Sequence, residues 1–465
     1  MRKYLPKSWP VWLILVVSAV VHFAYFGYPN QTVFDEVHFG KFITGYFTGE
    51  YFFDIHPPLA KLLMSLAGYW GDFRAGFSFS NIGEAFPDHS YLALRLLPTL
   101  AGVFLPLIIY WLARRLKFST FTSTGLGLLV AIDAALLVQS RFMLLDSFLL
   151  FFGFSALLSY LRYRENPSIK NIISTGLLAG LAGSVKWTGF SFLGIILVWE
   201  MTGFISQLWS SFRQKDWHLE ILRKLFGPIL IVVLAGLIYF STFAIHFALL
   251  PKSGPGNAFM SPEFQAGLIG NSYQGDSNTK PLGLLSKFVQ LNIEMYRANQ
   301  NLTATHPYGS QWYTWPWLGR SIYYWNQNFG NGQEGRIYLL GNPIIWWSSS
   351  IAMLWLLLNL LSRWFLRAGN DPTTKLLAGG YLFNLLPFIG ITRVMFLYHY
   401  FSALIFALLA LGYVFDGTSG KTKKATWVAI LLLSVLAFFY FAPLSYGLER
   451  TTAQLDQLFW FSSWR

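Results

Sequence analysis

Long apolar runs separated by short polar segments make up most of the chain. Runs of about 18 to 20 residues, enough to cross a hydrocarbon core of roughly 30 Å, recur along nearly its whole length. They predict eleven transmembrane helices, at about 10–28, 93–113, 120–138, 144–161, 171–185, 188–206, 225–247, 343–361, 376–390, 398–415 and 426–444. The pattern therefore predicts an all-α polytopic membrane protein.

The basic residues between the runs predict the orientation. If the N-terminus is cytoplasmic, each cytoplasmic segment holds at least three Lys or Arg: MRKYLPK, RRLK, RYRENPSIK, SSFRQKDWHLEILRK, SRWFLRAGNDPTTK and GTSGKTKK. Such residues concentrate on the cytoplasmic side of membrane proteins. The basic start also suits a signal peptide, but apolar sequence continues to about Tyr28, which favours an uncleaved first helix. We expect a cytoplasmic N-terminus and an extracytoplasmic C-terminus.

Two long external loops, at about 29–92 and 248–342, divide the chain. The predicted parts are an N-terminal transmembrane module with the first loop (1–247), an extracytoplasmic loop with interfacial helices (248–342) and a C-terminal four-helix module (343–465).

Two segments of the second loop are expected to lie on the bilayer as half-buried helices. KFVQLNIEMYRANQNL (287–302) has a helical apolar stripe, and HPYGSQWYTWPWLGRSIYYW (306–325) is rich in Trp and Tyr, which favour the membrane boundary.

Composition excludes several classes of protein. The chain is 54% hydrophobic and 12% charged, as expected of a protein in lipid. A net charge of +13 would suggest nucleic acid for a soluble protein, but here the basic residues lie in loops where they meet membrane lipid. Without cysteine there is no disulfide or thiolate site. No HExxH spacing occurs, so we predict no metal site and no required cofactor, and leave a divalent metal open.

Two adjacent carboxylates, Asp35 and Glu36, directly follow the first predicted helix in the stretch FDEVHFGKF. A carboxylate at a membrane surface can act as a general base, and a low solvent content raises its pKa towards the working range. The alternative is a solvated acidic pair at a helix end. We predict that both residues are catalytic.

Single basic residues mark the external ends of several predicted helices: Arg95, Arg141, Lys186 and Arg393. They either extend to the interface as ordinary charged side chains or bind a phosphate, for which Arg offers two parallel donors and Lys a point charge. No glycine-rich nucleotide loop accompanies them, so a lipid-linked phosphate suits them better than a soluble nucleotide. Asp146 is close enough in sequence to pair with Arg141.

Several segments, in order from about residue 33 to 402, resemble the protein O-mannosyltransferase family of GT-C glycosyltransferases. They are FDEVHFGKF, YFFDIHPPLAKLL, SNIGEAFP followed by LRLLP, QSRFMLLDS, GSVKWTGF, HPYGSQWYTWP, GNPIIWW and RVMFLYHY. The resemblance implies a GT-C fold that transfers mannose, with inversion, from polyprenyl phosphate mannose to Ser or Thr hydroxyls of proteins crossing the membrane. It implies that Asp35 activates the hydroxyl beside an essential Glu36, with Arg95 near the site and Lys186 at the donor phosphate.

External histidines and aromatic residues are the predicted acceptor or sugar-binding positions: His56, His306, Tyr308, Trp312 and His399. The expected partners are the lipid-linked donor, an acceptor polypeptide and membrane lipid, with the translocon nearby. The alternatives are transfer of a sugar to a lipid or glycan, and a lipid-linked sugar transporter.

The second loop, of about 95 residues, is too short for the β-trefoil MIR domain that eukaryotic family members carry there. The resemblance therefore implies a short prokaryotic-type member, at the plasma membrane, with its active site on the extracytoplasmic face.

Overall fold

A computed structural model describes residues 8–211, 217–367, 369, 371–416 and 420–465, without the side chains of 206–211 and 217–224. The predicted cytoplasmic segment MRKYLPK lies outside the described residues, as do parts of SSFRQKDWHLEILRK, SRWFLRAGNDPTTK and GTSGKTKK.

One helix occupies each of the eleven predicted spans except 120–138, which two helices share. Helices form most of the described chain. In order they are α1 (Trp9–Phe23), α2 (Glu36–Thr48), α3 (Leu59–Trp70), α4 (Tyr91–Arg115), α5 (Thr120–Ala131), α6 (Ala134–Ser140), α7 (Asp146–Glu165), α8 (Ile169–Val185), α9 (Phe190–Ser211), α10 (Trp217–Leu249), α11 (Pro262–Gln265), α12 (Leu284–Gln300), α13 (Pro343–Phe365), α14 (Pro372–Leu385), α15 (Phe401–Phe415), α16 (Lys421–Tyr446) and α17 (Thr452–Asp456).

Within the described residues, six helical segments are long and apolar enough to cross a membrane: Tyr91–Arg115, Trp187–Ile205, Leu225–Leu249, Pro343–Phe365, Leu397–Phe415 and Lys421–Tyr446. A seventh is the pair α5 and α6, bent by 56°. The count is four fewer than the predicted eleven. Helices α1, α8 and α14 have 15, 17 and 14 residues, fewer than the roughly 20 that cross a bilayer unaided, and α7, with 20 residues, carries charged residues in its first and last turns. The chain is a multi-span membrane protein.

The bend between α5 and α6 is built around Asp133. Its Oδ1 accepts the backbone N–H groups of Ala135 and Leu136 and so caps α6, while its Oδ2 accepts the indole N–H of Trp346 on α13 at 2.8 Å. The buried carboxylate thus has four donors, counting the N–H of Asn342. These bonds fix the position of α6, whose C-terminal end carries Gln139 and Arg141.

A three-stranded antiparallel sheet corrects the all-α expectation. Strands β1 (Ile322–Gly330) and β2 (Gln333–Leu339) form a hairpin, and β3 (Arg450–Thr451) pairs with β2. Gly330 pairs with Gln333, so Asn331 and Gly332 form a two-residue turn with φ of 50° and 73°. Such turns favour Asn-Gly because both residues need a positive φ.

The two expected interfacial helices have different outcomes. Segment 287–302 lies largely in α12 and is helical. Segment 306–325 is not an α-helix: it contains a 3₁₀ helix over Trp312–Trp317 and then enters β1. The period-two packing of Ile322 and Tyr324, both fully buried, decides its conformation.

The largest hydrophobic cluster crosses all three predicted parts of the chain. Phe34 from the first loop, Tyr324 from the second and Phe401 from the C-terminal module belong to it. The division at 247 and 342 stays a prediction. Packing between the parts is what places residues from both external loops at one site.

Candidate active site

Asp35 lies at the entrance to α2, where the chain leaves the first loop. Phe34, directly before it, has a φ of 47°, a left-handed conformation that is unusual for a bulky residue. Two contacts with β1 hold it: the Phe34 N–H donates to the Tyr324 carbonyl oxygen at 3.0 Å, and the two rings stack at 4.2 Å. The backbone geometry at Asp35 is therefore set by the second external loop.

The Asp35 side chain is half-buried, and its carboxylate has no hydrogen-bond partner in the part of the chain that the structure describes. Burial raises the pKa of Asp35 to about 7; the charge of Lys186 lowers it, and those of Asp146 and Asp54 raise it further. A carboxyl that changes protonation near neutral pH and has free lone pairs can take a proton from a hydroxyl.

Glu36, in contrast, is fully buried and fully paired. Its carboxylate accepts from Arg95 Nε at 2.8 Å and Nη2 at 2.6 Å, and from the backbone N–H groups of Val33 and Met143. This geometry is at odds with the expectation that Glu36 is a catalytic group, since no lone pair faces the site. Glu36 instead holds the loop around Asp35 in place.

Arg95 completes the same assembly. Besides the two bonds to Glu36, its Nη1 donates to the carbonyl oxygens of Gly27 and Pro29, and its Nη2 to that of Gln31. All five guanidinium N–H groups are thereby used. The structure thus departs from the expectation that Arg95 binds a phosphate: an arginine bonded in this way orders the first loop.

Arg141 is also a structural cation. It is 2% exposed, and it donates to the carbonyl oxygen of Ser445 at 2.7 Å and to those of Tyr25 and Tyr28. Its guanidinium also lies over the Tyr446 ring at 4.7 Å. These contacts join the end of α16 to the segment after α1, which is at odds with the expected phosphate contact of Arg141.

Lys186 is the cation whose charge lowers the pKa of Asp35. Its Nζ donates to both oxygens of Asp146, at 2.8 and 2.9 Å, and lies 4.9 Å from the centre of the Tyr398 ring. Asp146 therefore pairs with Lys186 and not with Arg141, the pairing that sequence proximity suggested. The side chain of Lys186 is 13% exposed, so its charge can still reach a bound anion.

Arg393 is the second cation in this region. It is half-buried, between the 3₁₀ helices Leu386–Gly390 and Leu397–Tyr400, and burial lowers its pKa. Across the residues that the structure describes, its guanidinium has neither a hydrogen bond nor an ion pair. An arginine held partly out of water without a partner is suited to receive an anionic ligand.

His56 forms a buried ionic group with Asp54 and Lys61. His56 Nδ1 lies 3.2 Å from Asp54 Oδ1, and Lys61 Nζ is bonded to the other oxygen and to two backbone carbonyls. Burial alone would raise the pKa of Asp54, but the charges of Lys61 and His56 hold it well below its usual range. In the described ranges, no three His, Asp or Glu residues are arranged to hold a metal ion.

The remaining predicted residues lie where the second loop meets the segment before α15. The Ser310 N–H donates to the Met395 carbonyl oxygen at 2.8 Å, and the exposed His306 contacts the Phe396 ring at 5.1 Å. This brings His306 beside the segment that carries Arg393.

Rings extend this contact region in two directions. Tyr308 is stacked on Tyr323 of β1 at 6.0 Å, and Trp312 is half-buried at the start of the 3₁₀ helix. His399 stacks between Trp315 at 5.8 Å and Tyr398 at 4.7 Å. Through Tyr398, whose ring lies under Lys186, His399 joins the group around Asp35, and His306 is linked to Tyr398 through the ring of Phe396.

Two family sequence profiles match the chain. One, described as dolichyl-phosphate-mannose-protein mannosyltransferase, matches residues 12–251, more than half of the chain. The chain belongs to this mannosyltransferase family. A second profile, the C-terminal four-transmembrane region of protein-O-mannosyltransferase, matches residues 284–464.

Among its relatives, the chain is 35% identical to dolichyl-phosphate-mannose–protein mannosyltransferase 1 of Candida albicans, over 60% of this chain and 32% of that protein. It thus spans about a third of that relative. It is 22% identical to mannosyltransferase 1 of Saccharomyces cerevisiae, over 97% of this chain and 82% of that one.

Solved structures share the fold. The S. cerevisiae protein O-mannosyltransferase Pmt1-Pmt2 complex bound to the sugar donor matches with a TM-score of 0.89 at 21% identity, covering 100% of this chain and 93% of the other. ArnT from Cupriavidus metallidurans bound to undecaprenyl phosphate matches with a TM-score of 0.54 at 14% identity, covering 94% and 65%. The chain therefore shares the GT-C membrane fold with these structures.

Sequence reasoning missed several residues of the candidate site. Asp54 and Lys61 are seven positions apart, a spacing that does not by itself indicate an ion pair. Gln139 and Tyr324 are 185 positions apart, yet the Tyr324 hydroxyl donates to the Gln139 side-chain oxygen. The only available signal was the Asn331-Gly332 turn, which predicts the hairpin and thus the direction of β1.

Proposed function

We propose that this mannosyltransferase transfers mannose from polyprenyl phosphate mannose to Ser or Thr hydroxyls of polypeptides, with inversion at the sugar. The observation that carries the proposal is Asp35, a half-buried carboxyl with a pKa of about 7 and free lone pairs, beside the cation Lys186. The names of its relatives and the donor-bound Pmt1-Pmt2 complex support the choice of donor and acceptor.

The reaction needs one proton transfer and one displacement. Asp35 takes the proton of the acceptor hydroxyl as its oxygen forms a bond to the anomeric carbon of mannose. The bond between that carbon and the phosphate oxygen breaks, and its electron pair leaves with the lipid phosphate. A single displacement from the opposite face inverts the sugar.

Two cations would hold the leaving phosphate. Lys186 and Arg393 come from different connections and both lie near Tyr398, since the Lys186 ammonium contacts its ring and the Arg393 charge acts on it. Their charges favour the phosphate more as negative charge develops on it, and so accelerate the displacement. Arg95, with all its donors bonded to Glu36 and backbone carbonyls, and Arg141, with both terminal nitrogens bonded to backbone carbonyls, act as supports of the site.

We assign binding of the sugar and binding of the acceptor polypeptide to two separate sets of ring side chains. His56 and His399, close to Lys186, are proposed to contact the sugar. His306, Tyr308 and Trp312 are proposed to line the groove of the acceptor polypeptide, since aromatic rings hold an extended chain with little sequence preference.

The proposal includes the arrangement in the membrane. Eleven spans, a cytoplasmic N-terminus and an active site on the extracytoplasmic face of the plasma membrane, near the translocon, fit the distribution of basic residues. A short prokaryotic-type enzyme without a MIR domain fits the second external loop, whose described elements are α11, α12, two 3₁₀ helices and the hairpin. A divalent metal, if required, would have to be held by substrate as well as protein.

Reconstitution tests this function. The purified protein in lipid vesicles, given a synthetic polyprenyl phosphate mannose and a Ser/Thr peptide, should produce a peptide one hexose heavier by mass spectrometry. Asp35→Asn, prepared in parallel, should not. Mannose found on an added lipid or glycan while the peptide stays unmodified would favour the sister GT-C activity. Donor moved across the vesicle membrane without reaction would favour a transporter.

A further inference from the structure

Tyr324 contacts two separate parts of the site, Phe34 and Gln139. Its carbonyl oxygen and its ring hold Phe34, and with it the backbone of Asp35. Its hydroxyl points the other way and donates to the side-chain oxygen of Gln139. The residue is fully buried, so no water competes for these contacts.

Gln139 links Tyr324 to Asp146 and Lys186, on the side of the site where the lipid phosphate is proposed to bind. Its amide nitrogen donates to Asp146 Oδ2 at 2.6 Å, and Asp146 in turn accepts from Lys186. Only one orientation of the Gln139 amide satisfies both neighbours, because the reverse orientation would place its oxygen against the carboxylate of Asp146. Gln139 and Asp146 are 3% and 4% exposed, which strengthens each bond and makes an unpaired member costly.

We propose that Tyr324 and Gln139 are positioning residues that fix Lys186 relative to Asp35. The connection runs from Phe34 through Tyr324, Gln139 and Asp146 to Lys186, so it joins the base to the phosphate-binding cation. It rests on the proposed function, since these two groups are its ends. Its members come from the first loop, β1, α6, α7 and the end of α8, so the two halves of the reaction are aligned only when the second external loop is docked.

Positioning of this kind affects turnover more than binding. A displacement of about 1 Å in a reacting group can cost roughly a hundredfold in rate. Tyr324→Phe keeps the ring stack and the backbone bond but removes the hydroxyl, so Gln139 loses the partner that orients it. We expect kcat to fall about 10- to 100-fold, while the KM for the acceptor peptide changes less than about threefold.

Gln139→Met supplies the second variant, because Met is close to Gln in shape and has no amide. It should reduce kcat by a similar factor. Since both residues belong to one connection, the double variant should lose no more than the worse single variant, whereas independent roles would multiply the losses.

Tyr160→Phe is the matched control. Tyr160 is also buried, and its hydroxyl donates to Glu200 at 2.6 Å, but it lies 14 positions after Asp146 on α7, or about 21 Å along the helix axis. It should keep kcat within about twofold of the parent protein. Thermal unfolding of all variants in the same detergent separates loss of fold from loss of rate.

The outcomes distinguish this inference from the proposed function. The rate of each variant is compared with that of the parent protein, on whichever acceptor the parent protein uses. If the parent protein does not mannosylate the peptide, the comparison can still be made with that other acceptor. Near-parental kcat in Tyr324→Phe, or multiplied losses in the double variant, would overturn the coupling. So would unfolding of both single variants, which would show that the connection serves the fold alone.

Discussion

At the scale of single residues, Asp35 differs from Glu36, Asp54 and Asp146 because its carboxylate is bonded to none of the residues that the structure describes, whereas theirs are paired. Asp35→Asn should lower kcat by about 10²- to 10⁴-fold, because the amide keeps the size of the side chain but cannot take a proton. Peptide mannosylation at saturating donor measures this, with the thermal unfolding midpoint as the check on folding. Near-normal turnover of the variant would remove Asp35 from the role of base.

The pKa of Asp35 predicts how the rate depends on pH. Burial raises the pKa to about 7, so the carboxylate form, which is the base, is present above pH 7 and lost below it. Initial rates should rise about tenfold per pH unit below about pH 7 and level off above it. A rate that stays constant from pH 8 down to pH 5 would contradict this assignment.

Replacing Glu36 should lower the stability of the protein rather than remove a group that takes part in the reaction. Glu36→Gln leaves the buried guanidinium of Arg95 without its counter-charge, which costs about 3 to 5 kcal/mol for a pair of this kind. Unfolding in detergent should show a lower midpoint. Glu165→Gln, which breaks the exposed pair with Arg115, is the control and should cost at most about 1 kcal/mol. An inactive Glu36→Gln protein of unchanged stability would instead place Glu36 in the reaction.

The cations show what sequence can and cannot predict at this scale. Lys186, Arg95 and Arg141 look alike in the sequence, each a single basic residue at the end of an apolar run. Only the folded chain shows that carbonyl oxygens from distant segments take the donors of Arg95 and Arg141. Burial and pairing are tertiary properties, so the prediction identified the cations but could not separate the supporting ones from those near Asp35.

At the scale of elements, the second external loop is the part that should decide acceptor use. Tyr308→Ala and Trp312→Ala should raise the KM for the acceptor peptide several-fold with little change in the KM for the donor, if these rings line its groove. Tyr273→Ala, on a turn of the same loop, is the control and should leave both constants unchanged. Unchanged peptide KM in both test variants, with lower yield of inserted protein, would make the rings a membrane anchor.

The same loop shows where element prediction fails. Apolar runs predicted a helix at each of the eleven positions because, in lipid, a helix satisfies its own backbone hydrogen bonds. Outside lipid that constraint disappears, and Trp and Tyr suit an interfacial helix and a strand equally well. The alternation around Tyr324 and the Asn-Gly turn were present, but the aromatic composition of 306–325 concealed them.

At the scale of the whole molecule, the absence of cysteine makes the orientation directly measurable. Single cysteines introduced as Ser277→Cys, in the second external loop, and Lys423→Cys, at the start of α16, add the only thiols. Both positions are exposed. A membrane-impermeant maleimide should label the first in intact cells and the second only after permeabilisation. The opposite pattern would invert the proposed topology and place Asp35 on the cytoplasmic face.

The position of β3 near the end of the chain determines when the sheet can be completed during synthesis. β3 pairs with β2, and beyond it the indole N–H of Trp464 donates to the Leu318 carbonyl oxygen, just before β1. These residues are translated more than 100 positions after the hairpin that they complete. The ribosome must therefore finish α13 to α16 before β1 can reach its final packing, so the site that Tyr324 helps to form is completed only at the end of synthesis.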